Sequence, residues 1–421
     1  MKYNRFQELD MMRGFAACWV VAVHFWYFNF LPPFFGYSNY FEYAKVVSPA
    51  STIAKFFPLP FNSVGNIVLD LLNIFFLLGY QGVHIFFILS GFGLAYSKFL
   101  KPDESWSNFM RKKFFRLYPT YWILLAVSLI IPRLRADLFY GYFDWWSFWR
   151  SWIILDKAIP FSWFMFPLIQ FYLSFFLIFK FLQEKSIKKF ILTSFLIKVT
   201  YTFLVLMLGF NLNNFFPIIA DNLNKFFPII GDLAYPGYLA ISRLFEFCLG
   251  MAMAKVYATN PTLLINYLTK PVTIALAIIL EILGIMGSFE FTNNIKFLGI
   301  ILPLGLSFYD AFIGFGIFVI FFNVCRSLIR FSDLTTRFLT WISKISYELY
   351  LTQFIGLIVI PKFFTVVVRG EPSLLTASRA ILLYILLIEI SIVNACLLQQ
   401  LTNSIASRVR LAMAPFTSGG K

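Results

Sequence analysis

Residues 9–24 read LDMMRGFAACWVVAVH and place Arg13 and His24 eleven positions apart in an otherwise apolar stretch. On an α-helix that spacing leaves an angular difference of about 20° and a rise of roughly 16 Å, so both side chains project from one face. Imidazole has an ordinary pKa of about 6.5. A neutral ring can therefore take a proton from an attacking hydroxyl, which is general-base chemistry. Ionisable residues inside a membrane span usually face a cavity or the bundle interior and mark function. The alternatives are a purely structural His24 and an Arg13 that snorkels to the headgroups. Asp10, three residues before Arg13, is spaced to contact it at the helix start.

Other chemistries find less support. His24 and His84 are the two histidines, and Cys18, Cys248, Cys325 and Cys396 lie in separate apolar runs. Neither a disulfide framework nor a zinc site is expected from that pattern, so no metal is assigned. The LSGFG stretch carries Ser90 but lacks the first glycine of a G-x-S-x-G nucleophile elbow. Arg243 and Glu246 stand three apart on an apolar run and can pair. They form either a buried stabilising pair or part of a site. His84 either lines the same site or caps its span.

The elements that must hold these residues are membrane helices. The chain is 60% hydrophobic and only 13% charged, with a mean hydropathy of +0.77. Soluble domains carry about 25% charged residues. Repeated apolar runs of about 20 residues each suffice to cross a hydrocarbon core as helices, and in lipid only helices or closed barrels satisfy the backbone. The expected fold is an all-α bundle of about ten spans. Their limits are 12–31, 83–99, 117–132, 162–182, 190–209, 236–255, 271–289, 297–325, 340–360 and 379–402. The eighth is long and holds Pro303, Gly305 and Asp310, which predicts a broken helix or two short segments. The apolar segment 68–79 is short and reads as interfacial or re-entrant. The near-duplicated NNFFPIIADNL and NKFFPIIGDL of 213–233 read as a local insertion.

Basic residues fall in short connections: Lys2 and Arg5, the stretch SKFLKPDESWSNFMRKKFFR, QEKSIKK, and Arg408, Arg410 and Lys421. An even span count then puts both termini on the cytoplasmic side. The net charge of +15 follows from this pattern and does not require nucleic acid. No small-residue cleavage site follows the first apolar run, so that run is expected to remain as an anchor. One membrane domain (1–405) and a short basic cytoplasmic tail (406–421) are expected.

Six stretches, in order, resemble the acyltransferase-3 family of integral-membrane acyltransferases. LDMMRGFAACWVVAVH resembles its opening signature, an arginine separated by ten residues from a histidine. QGVHIFFILSGFGLAYS, FMRKKFFRLYPTYW, SWFMFPLIQFYLSFF, RLFEFCLGMAMAKV and ISKISYELYLTQF follow. The resemblance implies transfer of an acyl group, usually acetyl from acetyl-CoA, to a hydroxyl of an extracytoplasmic glycan or lipid-linked glycan. It implies a multi-pass protein of the bacterial cytoplasmic membrane, with acyl-CoA as cosubstrate, no bound cofactor, and membrane lipids as surroundings. His24 and Arg13 take the family's catalytic pair, and Lys113 and Arg116, with Arg111 beside them, its donor-binding loop. Cations there could hold CoA phosphates; equally, they obey the positive-inside rule. Asp10, His84, Ser90, Arg243, Glu246, Tyr347 and Gln353 are further site-lining candidates.

The sequence departs from the family's pattern in places. Lys113 stands where an arginine is usual, which removes bidentate phosphate recognition. Gln353 stands where a histidine often follows the SYxLYL motif, and it carries no titratable proton. The rival readings are a transporter or flippase of a lipid-linked glycan, and an acyltransferase for a small-molecule or lipid acceptor.

Overall fold

A computed structural model describes residues 6–30, 78–130, 164–215, 239–293, 301–359 and 374–412, with isolated positions between them. The described residues form twelve α-helices and contain no strand. In chain order these are α1 (Gln7–Phe30), α2 (Gly82–Leu100), α3 (Trp106–Ile130), α4 (Met165–Glu184), α5 (Ile187–Phe215) and α6 (Leu244–Thr259). They continue with α7 (Pro261–Leu268), α8 (Pro271–Asn293), α9 (Ile301–Phe331), α10 (Asp333–Ile342), α11 (Ser346–Val359) and α12 (Leu374–Ala412). Each apolar run read from the sequence meets a helix. Short 3-10 turns, Leu78–Gln81 and Ala240–Arg243, lead into α2 and α6.

By length and apolarity alone, four helical segments suffice to cross a membrane: Ile74–Leu100, Met165–Glu184, Phe308–Phe331 and Ile381–Ile405. A fifth crossing arises if α7 and the first part of α8, bent by 57° at their junction, count as one. Their lipid-facing character shows on α8, where Val272, Ile279 and Ile282 are exposed.

One expectation is corrected. Over its described residues the eighth run is not broken: α9 continues unbroken for 31 residues. Pro303 lies in its first turn, where the missing N–H has no intrahelical partner to lose. The near-repeat of 213–233 lies outside the described residues except for its start at the end of α5, and so does half of segment 68–79. α12 runs on past 405 to Ala412, across the expected boundary between membrane domain and tail.

Two contacts set the frame of the bundle. α2 and α6 pack backbone to backbone at Gly91 and Gly250. A Cβ on Gly91 would strike the Phe247 carbonyl, and one on Gly250 the Ile88 carbonyl. Small residues allow this approach where lipid offers no hydrophobic drive between helices. At the other level, Arg326 of α9 donates to Glu8 of α1 at 3.2 Å. Phe6 stacks on Tyr257 at 4.6 Å, joining the start of α1 to the end of α6.

Candidate active site

His24 sits in the last third of α1, buried at 8% exposure. Its Nδ1 lies 2.9 Å from Oε1 of Gln353 on α11. The Gln353 amide nitrogen in turn donates to the carbonyl of Tyr350 at 2.8 Å. The Tyr350 ring stands edge-on to the imidazole, 6.5 Å between centroids, and also packs edge-on with Phe164 at 4.2 Å. α11 reaches His24 because Tyr350 and Gln353 are three apart and share a face.

Arg13 lies about 16 Å lower on the same helix, among cations of α3. Lys113 experiences the charges of Arg116, Lys112 and Arg13 and of the Glu104 carboxylate. Tyr172 of α4 experiences those of Arg116 and Arg13. Lys113 Nζ stands over the rings of Phe109 and Tyr172, at 5.3 and 5.6 Å. Burial, and then the neighbouring Arg116, lower the Lys113 pKa to about 8. Lys112 forms an ion pair with Glu104. Tyr347, on α11, donates to the Leu117 carbonyl at 2.9 Å, tying α11 to α3 beside this group. Arg111 is exposed; two positions before Lys113, it projects about 200° away around α3.

His84, Arg243 and Glu246 come together, but around a different centre. His84 Nδ1 is 3.1 Å from Glu246 Oε1, and its Nε2 is 3.2 Å from Asp310 Oδ1. Arg243 Nη1 donates to Asp310 Oδ2 at 2.7 Å and to Glu246 Oε1 at 3.3 Å. Lys198 Nζ, fully buried on α5, stands 3.6 Å from the same Asp310 oxygen. Gln170 of α4 accepts from the Ala240 backbone N–H at 2.8 Å and so fixes the turn that carries Arg243. Five ionisable side chains, four from α2, α5, α6 and α9 and Arg243 from the turn before α6, thus form one network. Removing one partner of such a buried group leaves an uncompensated charge.

The expectation of no metal cluster rested on cysteines and histidines alone. His84, Glu246 and Asp310 do place ligand atoms within 4.8 Å of one another. The donor set does not suit an ion, however. The two ring nitrogens face different carboxylates, and Arg243 already bridges both acids. The chemistry is that of a charge network.

Sequence reading missed Asp310 and Lys198 as partners of this network. It also missed Glu281 of α8, which accepts from Gln81 at 2.6 Å. The signal was present, since each is a charge inside an apolar run. Of the remaining candidates, Asp10 is half-buried one turn before Arg13. Ser90 lies six residues after His84 and projects about 120° from it around α2.

The described residues thus form a strongly apolar helical bundle, with a buried histidine and a cationic group at two levels of one helix. The sequence matches the acyltransferase domain family, Acyl_transf_3, over residues 6–398. The chain belongs to this family and is a membrane acyltransferase. No curated protein and no solved structure matches the chain.

Proposed function

We propose that the protein transfers an acetyl group from acetyl-CoA to a hydroxyl of an envelope or extracellular glycan, such as an O-antigen, capsule or exopolysaccharide. The observation that supports this reading best is the arrangement along α1. A buried histidine hydrogen-bonded at Nδ1 stands at one level, and Arg13 joins Lys113 and Arg116 at another.

His24 is the general base for the acceptor hydroxyl. Arg13, Lys113 and Arg116 hold the phosphates of the acyl donor, where charge-assisted hydrogen bonds are strongest. With a rise of about 16 Å between Arg13 and His24, this reading assigns Arg13 to the donor's phosphates and not to the oxyanion. The flexible pantetheine arm carries the thioester up α1 towards His24. In this reading the chain crosses the bacterial cytoplasmic membrane ten times, with both termini and the basic loops inside and the glycan acceptor outside.

The test expresses the intact protein and its His24→Ala variant, at matched levels, in a strain lacking its own copy. O-acetylation of envelope glycans is then read by mass spectrometry. The reading expects an acetyl mass that depends on the intact protein and disappears with His24→Ala. Acetylation that persists undiminished in the variant overturns it.

A further inference from the structure

The hydrogen bonds around Gln353 constrain which nitrogen of His24 does the work. The Tyr350 carbonyl only accepts, so the Gln353 group facing it is the amide NH2. That leaves Oε1 facing His24. Oε1 also only accepts, so Nδ1 must carry the hydrogen. The opposite tautomer would set two lone pairs against each other at 2.9 Å. Turning the amide over would do the same at Tyr350. Gln353 is fully buried, at 0% exposure, so water does not compete for either contact.

We infer that Gln353 is the positioning residue that holds His24 in its Nδ1–H tautomer and makes Nε2 the single proton-carrying nitrogen of acyl transfer. The inference rests on the reading of His24 as general base. The acceptor hydroxyl gives its proton to Nε2 as its oxygen bonds to the thioester carbon. The carbon–sulfur bond then breaks, and the departing sulfur takes the proton back from Nε2. No proton is gained or lost overall. A carboxylate at position 353 could take up the proton from Nδ1; the amide of Gln353 accepts the Nδ1–H hydrogen bond but cannot take its proton. The proton therefore leaves by the nitrogen through which it arrived, which couples acceptor and sulfur at one atom with no proton relay through Nδ1.

The two histidines make this measurable. Selective 15N-histidine labelling of the full chain gives signals from two side chains, and His24→Ala assigns one of them. The expected neutral-state spectrum of His24 shows Nδ1 protonated and Nε2 bare. Gln353→Met should give a mixture of tautomers and lower kcat by about 10- to 100-fold, a part of what a whole general base contributes. The KM for acyl-CoA should stay unchanged, because the donor cations lie elsewhere. Gln353→His, whose ring nitrogen can accept the same hydrogen, should recover most of the turnover.

A protonated Nε2 in the unsubstituted protein overturns the inference whether or not any variant folds. So does an unchanged tautomer and kcat in Gln353→Met. Full turnover by His24→Ala would instead refute the general-base reading, and the tautomer spectrum tells the two failures apart.

Discussion

Nδ1 of His24 and Oε1 of Gln353 stand 2.9 Å apart although 329 positions separate them in the chain. This contact joins the first and eleventh helices at the buried histidine that shares a helix with Arg13. Gln353 looks like a loss when compared with the family's usual histidine, since it cannot titrate. Its amide instead fixes the orientation of the residue that can.

The cationic group on α3 makes the first prediction. Lys113→Ala and Arg116→Ala should each raise the KM for acyl-CoA by roughly tenfold, equivalent to about 1.4 kcal/mol of lost charge-assisted hydrogen bonding. Turnover at saturating donor should change little. Steady-state kinetics on purified protein separate the two effects, and Arg111→Ala, on another face of α3, serves as the comparison.

Donor affinity should also depend on pH through Lys113. Its pKa is lowered to about 8 by burial and by Arg116, so the ammonium is present below that pH and lost above it. The KM for acyl-CoA is therefore expected to rise between about pH 7 and pH 9. Lys113→Arg keeps its charge throughout this range and should flatten the rise, as KM profiles of the two proteins will show.

The charge network predicts a stability effect with no direct catalytic signature. Glu246 is fully buried, at 0% exposure, and faces both Arg243 and His84. Glu246→Gln should cost about 3 kcal/mol, because it strands buried positive charge. Thermal unfolding in detergent should shift down by several degrees, whereas Ser90→Ala leaves it within about a degree.

The close approach of α2 and α6 predicts a steric failure. Gly250→Leu places side-chain atoms where the Ile88 backbone lies. Folded protein recovered from membranes, read by size-exclusion chromatography, should fall sharply. Gly93→Ala, whose added carbon meets open space, should be recovered normally.

Helix identity was legible in the sequence because each run of apolar residues is long enough to meet a helix on its own. The shared face of Arg13 and His24 on α1 was legible for a similar reason, since it depends only on an unbroken helix with 3.6 residues per turn. Pro303 misled the reading of α9. A proline breaks a helix in its interior, and here the helix begins just before it. The surroundings of His84 were not legible, and the sequence left it as either lining the site or capping its span. Its partner Asp310 comes from α9 and the Lys198 that pairs with Asp310 from α5, and only the tertiary packing brings them to α2. Gln353 was read as a weakened site residue because its use depends on a carbonyl three residues away and on a ring across the bundle.

The most direct test of the central claim is acyl transfer by purified, reconstituted protein. Radiolabelled acetyl-CoA is supplied with glycan acceptor, and His24→Ala is compared with the intact chain at equal CoA binding. The account predicts that label moves to the glycan with the intact chain. It predicts a rate at least about 10²-fold lower in the variant, the lower end of what a positioned general base contributes. Transfer at the intact rate by a variant that binds CoA normally would contradict it.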